Sequence, residues 1–254
     1  YATMAFGSAL SLFIYPHSIT SVLAARSRMV IRRNAALLPI YSLLLGLLAL
    51  LGYCAIAAGI RVSPHASSSI VPLLFARFFP DWFAGVAGAA VAIGALVPAA
   101  IMCIGAANLF ASNVFREFGT QRPADEAPIA RKLTLVMCAG SLLFIFFVPV
   151  PYAIDFQLLG GALMLQIFPA FVLGLWTRWF HPRALLAGWA AGIAASCAMA
   201  YAGGFAPNFT LPLPGGGLTG FIALYALAIN LIVAAAGTLA AASGARFSGK
   251  DLPV

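Results

Sequence analysis

Apolar residues run through this chain in long blocks, separated by short basic or Gly- and Pro-rich stretches, rather than in the alternating or 3.6-residue patterns of half-buried elements. A helix rising about 1.5 Å per residue needs about 20 predominantly apolar residues to cross a bilayer. Seven segments reach or approach that length: 2–25, 35–60, 82–111, 133–148, 152–176, 184–202 and 218–242. The first contains Tyr15-Pro16-His17 near its middle. A proline there removes a backbone donor and clashes with the preceding turn, so this span is expected to be broken at Pro16.

The stretches between the spans differ in character. Arg61 to Asp81 is polar at first, with Pro64, His65 and Ser67 to Ser69, and then carries the apolar piece Ile70 to Phe79, too short to span and expected as a helical lid. Arg116 to Lys132 mixes Glu117, Asp125 and Glu126 with Arg, Pro123 and Pro128, the pattern of a solvated linker. Pro149-Val150-Pro151 stops the fourth span, and Gly203 to Gly217 reads as a loop. Small residues sit where helices could approach closely: Gly85, Gly88 and Gly94, then Gly160-Gly161, then a GxxxG pair at Gly188 and Gly192.

Composition removes the soluble alternative. Of 254 residues 63% are hydrophobic and 8% charged, against about a quarter charged in globular domains, which leaves too few polar side chains to cover a water-facing surface. The net charge of +8 changes meaning once it is located. All Lys and Arg except Arg61 and Arg77 fall in alternate connections and in the tail from residue 243, as expected when basic residues stay on the cytoplasmic side. The charge is therefore topology and not a nucleic-acid footprint. The chain's start is placed outside and its tail, 243–254, in the cytoplasm. Cys54, Cys103, Cys138 and Cys197 are isolated within apolar runs, without metal or disulfide spacing. The chain opens at Tyr1, already inside apolar sequence, and is expected to be a piece of a longer protein.

Ionisable groups inside apolar sequence are costly and are functional candidates by default. His17, beside the helix break, has two readings: a substrate or proton contact next to unwound backbone, or a side chain satisfying local carbonyls. Asp155 is either a headgroup-level carboxylate or a gate or proton site. Ser11, Tyr15 and Ser18 flank the break, and Asn108 and Gln166 suit hydrogen bonds between helices. Motifs of proteases, hydrolases and nucleotide-binding enzymes are missing, so no enzyme and no cofactor is expected.

Three stretches carry a family resemblance. Phe13-Ile14-Tyr15-Pro16-His17-Ser18-Ile19, with Ala24-Ala25-Arg26-Ser27 and Arg32-Arg33, resembles the broken sixth core helix of the sodium:solute symporter family. Gly174-Leu175-Trp176-Thr177-Arg178, with Ala187-Gly188 and Gly192, and Asn113-Val114-Phe115-Arg116-Glu117-Phe118 resemble two further family elements. Ile31 to Pro39 and Thr177 to His181 are similar to the monocarboxylate permease-like branch.

The resemblance implies an all-α membrane protein of the LeuT type, two inverted five-helix repeats, of which this chain would hold the second repeat and two peripheral transmembrane helices. The missing N-terminal repeat would be its partner, along with the bilayer and a small organic anion. The implied activity is symport of a monocarboxylate such as lactate or pyruvate in a bacterial inner (plasma) membrane, with Na+ or H+ as coupling ion. The alternatives are a sodium-coupled amino acid or sugar symporter of the same family, or a non-transporting membrane sensor domain. Tyr15 and His17, with Ser11 and Ser18, are the expected substrate contacts. The family's sodium-site hydroxyls fall at Val97 and Pro98, with Gly94 as the carbonyl ligand; a shifted register puts Cys103 and Ile104 there instead. Neither pair offers the oxygen that a hard cation prefers, so the chain is expected to be driven by protons or uncoupled rather than driven by sodium.

Overall fold

A computed structural model describes residues 2–63, 66, 69–118, 126–149, 152–214 and 216–248. His65, Asp125, the Val150-Pro151 stop and the last residues of the tail lie outside these. The described residues are mostly helical. In chain order the elements are α1 (Ala2–Leu12), α2 (Pro16–Leu23), α3 (Arg28–Ala57), α4 (Ile70–Phe78), α5 (Asp81–Leu109), a π-helical stretch Phe110–Phe115 running into α6 (Arg116–Phe118), and α7 (Glu126–Phe147). Then come α8 (Ala153–Leu165), a second π-helical stretch Pro169–Leu173 leading to α9 (Gly174–Trp176), α10 (Pro182–Ala202), strands β1 (Asn208–Leu213) and β2 (Gly216–Phe221), and α11 (Ile222–Ser248).

Six helical segments are long and apolar enough to cross a membrane, and α1 with α2 form a bent pair, 43° apart, that passes the same test together. The chain divides into two compact units, Tyr1–Ile19 with Tyr152–Val254, and Thr20–Pro151.

In the Thr20–Pro151 unit, α5 packs on α7 and on the short α4, which also meets α3. Leu74 of α4 is buried with Ala55 and Ile60 at the end of α3. Ser27 caps α3, its Oγ accepting from the Val30 N–H at 3.4 Å. Asp81 in the first turn of α5 complements the positive end of the helix. The stretch read as a linker is partly helical. The π-helical stretch and α6 carry α5 on to Phe118, and α7 begins at Glu126, seven residues before the apolar run at Leu133. The apolar run therefore marks the membrane portion of α7 and not its start.

The other unit is built on α10 and α11, antiparallel neighbours, with α8 against both and α1 against α8. Its core gathers Ile14, Leu165, Phe221, Ile222 and Leu227. Gly188 and Gly192 make the close approach possible: a Cβ on Gly188 would lie 2.6 Å from the Asn230 carbonyl oxygen, and one on Gly192 would collide with the Gln166 carboxamide. The stretch read as a loop followed by a helix from Leu218 is instead a hairpin, with Asn208 opposite Phe221 and Leu213 opposite Gly216. The Thr210 and Thr219 hydroxyls pair across it at 2.8 Å, and the Tyr225 hydroxyl donates to the Leu218 carbonyl at 2.7 Å. These bonds hold 216–221 extended, so α11 begins at Ile222.

Replacing Gly192 by Val should cost about 1–3 kcal/mol, the range for overpacking a tight contact. Thermal unfolding in detergent of the full-length protein checks this, with Ala191→Val, on the same helix, as the control.

Candidate substrate site at the helix break

The first span ends its regular bonding at Leu12 and resumes at Pro16, leaving Phe13 to Tyr15 irregular. Two carbonyls bracket the gap. The Ser11 carbonyl accepts from the Ile14 and Tyr15 N–H groups at 2.9 and 3.2 Å, and the Tyr15 carbonyl accepts from Ser18 and Ile19 at 2.9 and 3.2 Å. Pro16 is the first residue of α2, where its missing N–H costs nothing because that group has no intrahelical partner. The break therefore falls just before the proline, and Pro16 starts the second half-helix.

Ser11 is 1% exposed, and its hydroxyl is placed between two carbonyls, Gly7 on its own helix at 2.9 Å and Gly161 on α8 at 3.0 Å. It ties the end of α1 to α8. A Cβ on Gly161 would stand 3.2 Å from the Tyr15 hydroxyl and 3.9 Å from Ser11 Oγ, so Ser11, Tyr15 and Gly161 converge on one spot. Tyr15 and His17 face one another with ring centroids 5.2 Å apart and planes tilted by 33°. Both are half-buried, as is Ser18. Ser11, Tyr15 and His17 thus lie close together beside the start of α2, the positive end of its dipole. A carboxylate there could accept from a tyrosine hydroxyl and an imidazole N–H.

The other candidates lie elsewhere. Asp155 sits in the first turn of α8, half-buried, about 9 Å along the helix from Gly161. An acidic side chain is favoured there by the helix dipole alone. Gly94, Val97 and Pro98 belong to the Thr20–Pro151 unit, exposed on α5. Pro98 has no N–H, so the Gly94 carbonyl four residues earlier loses its regular helical donor. That frees one oxygen, while Val97, 56% exposed, and Pro98 contribute no hydroxyl.

One buried polar group lies outside the residues that the sequence singles out. Asn230 on α11 is fully buried, and its Nδ2 donates to the Gln166 carbonyl at 2.8 Å and to Gln166 Oε1 at 3.3 Å. Gln166 Nε2 in turn donates to the carbonyls of Ala162 at 3.0 Å and Ala223 at 3.4 Å. These bonds surround a second irregularity. After α8 the Gln166 and Ile167 N–H groups bond three residues back, at 3.1 Å each, and the chain continues through Pro169 into the π-helical stretch. Asn230, an amide in the apolar run of α11, carries the same sequence signal as Gln166, a polar side chain suited to hydrogen bonds between helices.

The chain is 47% identical over 236 residues to a monocarboxylate transport permease protein of Rhizobium johnstonii, covering 92% of this chain and 48% of that protein. It is 32% identical over 200 residues to the uncharacterized symporter YodF of Bacillus subtilis, covering 76% of this chain and 39% of the relative. These relatives are named as transporters. A third, the uncharacterized symporter YhjB of Bacillus subtilis, is 27% identical over 168 residues, covering 66% of this chain and 34% of that protein. None of the three names is that of an enzyme. The chain spans about half the length of the first relative and less of the other two. No protein-family model and no solved structure matches it. Six apolar helices and transporter relatives together make this a multi-pass membrane protein.

Asn230→Leu should leave the Gln166 carbonyl and carboxamide oxygen without their donor and cost about 1–3 kcal/mol. Asn230→Gln, which retains a carboxamide, should cost less. Unfolding of the two variants of the full-length protein in detergent compares them.

Proposed function

We propose that this chain is the C-terminal part of a secondary transporter of the sodium:solute symporter family, of the monocarboxylate permease-like branch, moving a small organic anion such as lactate or pyruvate by alternating access. The observation that carries the reading is the broken first span, where Ser11, Tyr15 and His17 gather at a half-helix N-terminus. A bilayer offers no partner to unwound backbone, so a break of this kind lines a cavity or a protein-buried pocket, and carriers place their anionic substrate there. The similarity to a permease named for monocarboxylate transport supports the choice of anion.

In this reading the fold is of the LeuT type. α1 with α2, α3, α5, α7 and α8 through α9 are the five core helices of the second repeat, and α10 and α11 are peripheral. The N-terminal repeat of the same protein supplies the other half of the site. The membrane is a bacterial inner membrane, with the start of α1 outside and the end of α11 in the cytoplasm, as the alternate placement of Lys and Arg supports. Tyr15 and His17 bind the carboxylate, Ser18 borders it, and Ser11 holds the break against α8.

Coupling is to protons rather than sodium. The Gly94 carbonyl is one oxygen where a sodium ion needs several, and neither Val97 and Pro98 nor Cys103 and Ile104 add a hydroxyl. Asp155, with its carboxylate in the first turn of α8, is the proton or gate site of this scheme.

Uptake of labelled lactate into vesicles carrying the full-length parent protein, with pH and sodium gradients imposed separately, tests this. A pH gradient alone should accelerate uptake, and His17→Ala should abolish it while membrane insertion persists. Acceleration by sodium alone would overturn the proton coupling, and absence of lactate uptake under either gradient would overturn the choice of substrate. Normal uptake by His17→Ala would remove His17 from the site.

A further inference from the structure

Gly160 and Gly161 are neighbours on α8, in the unit that also holds the helix break, and their surroundings differ. A Cβ on Gly160 would meet nothing within 4 Å. One on Gly161 would stand 3.2 Å from the Tyr15 hydroxyl and 3.9 Å from Ser11 Oγ, and no other Tyr15 atom comes within 4 Å of it. Gly161 is buried, and so is Ala162 beside it, which keeps its Cβ. Burial alone therefore does not call for glycine at this position. Conformation does not either, since Gly161 lies inside α8 and is not among the glycines with positive φ. What a side chain at 161 would displace is the tyrosine hydroxyl.

Two contacts make that proximity matter. The Ser11 hydroxyl lies 3.0 Å from the Gly161 carbonyl oxygen, which ties α8 to the end of α1 at this very residue. The Tyr15 ring lies against His17, centroids 5.2 Å apart, so His17 meets the ring and Gly161 meets the hydroxyl. Phe13 to Tyr15 belongs to no helix, and the direction of the tyrosine is set by what it rests on. Nine in ten Cβ contacts are longer than 3.4 Å, so a methyl group at 161 would push the hydroxyl off by a few tenths of an ångström. An O–H···O bond is effective over a range of only about 2.5–3.0 Å, so a shift of that size weakens whatever bond the hydroxyl makes. Alanine leaves the Gly161 carbonyl, and with it the tie to Ser11, in place.

We infer that Gly161 is a positioning residue for the carried anion: its carbonyl, held by Ser11, fixes how near α8 lies, and its bare Cα is the seat that places the Tyr15 hydroxyl. This rests on the reading of the break as the anion's site. Gly161 acts on the anion through one oxygen atom, and its effect vanishes when that atom is removed.

The test has two arms, both in the full-length protein. In the first, 3-fluorotyrosine is placed at position 15 and its fluorine resonance is followed in detergent. Gly161→Ala should shift the resonance, and Gly160→Ala, which raises helix propensity equally, should not. An unmoved resonance in Gly161→Ala, or equal shifts in both variants, overturns the seat. The second arm is lactate uptake into vesicles. Gly161→Ala should raise KM about three- to tenfold with the maximal rate little changed, as part of a hydrogen bond to a charged group is lost from substrate binding. Gly160→Ala should leave both parameters unchanged, and adding Gly161→Ala to Tyr15→Phe should raise KM no further. A further rise on Tyr15→Phe, a fall in maximal rate alone, or an unchanged KM in Gly161→Ala would each overturn the inference. If the unsubstituted protein takes up no lactate, the choice of anion falls, and the fluorine arm still decides the seat.

Discussion

Inside a bilayer no water is present to satisfy a freed backbone N–H or C=O, and the rest of this structure depends on how the chain meets that constraint. Regular helices meet it by themselves. Where the first span gives up its regular bonding, the chain does so under control: the Ser11 and Tyr15 carbonyls each take two donors, Pro16 occupies the position where its missing donor matters least, and the Ser11 hydroxyl reaches the Gly161 carbonyl. The irregularity after α8 is met in another way. Asn230, 64 residues further along the chain, lends its amide to the Gln166 carbonyl. Close packing at Gly188 and Gly192 brings α10 against this knot and shields it. One break is thus closed largely from within and faces the tyrosine and histidine; the other is closed by a distant side chain.

That distinction separates what was legible in the sequence from what was not. The membrane helices are visible because a long apolar run is itself the physical requirement for spanning. The first break is visible in part: Pro16 removes a helical donor in the middle of such a run, but Pro39 and Pro98 do the same inside the continuous helices α3 and α5, so the proline marks a place where a break can fall and does not force one. The irregularity at Gln166 to Leu173 is not. Pro169 lies in a run that reads as one uninterrupted span, and the donor that makes the interruption tolerable is on another helix. The hairpin was hidden for a related reason: Leu218 and Phe221 belong to β2 but merge, in composition, with the apolar start of α11. Cross-strand pairing of Thr210 with Thr219 decides the matter, and pairing is not a local property.

At the candidate site, residue types and neighbourhood in sequence group Ser11, Tyr15, His17 and Ser18, and the structure adds what three of them touch. Ser11, an expected substrate contact, has its hydroxyl between the Gly7 and Gly161 carbonyls, which ties the end of α1 to α8. Tyr15 and His17 are the pair whose rings face each other at the half-helix start. Gly94, Val97 and Pro98 show the converse. Chemistry alone, a carbonyl freed by a proline with no hydroxyl beside it, says more about a cation there than their place in the fold does.

Substrate protection at the α1–α2 break, the proposed anion site, is the most direct measurement. Ser18→Cys in the full-length protein, freed of its other cysteines and shown to retain uptake, places a thiol at the edge of the proposed site. Lactate should slow its reaction with a small maleimide, with half-effect at the concentration that half-saturates uptake. A labelling rate indifferent to lactate in protein that still takes lactate up would place the substrate elsewhere.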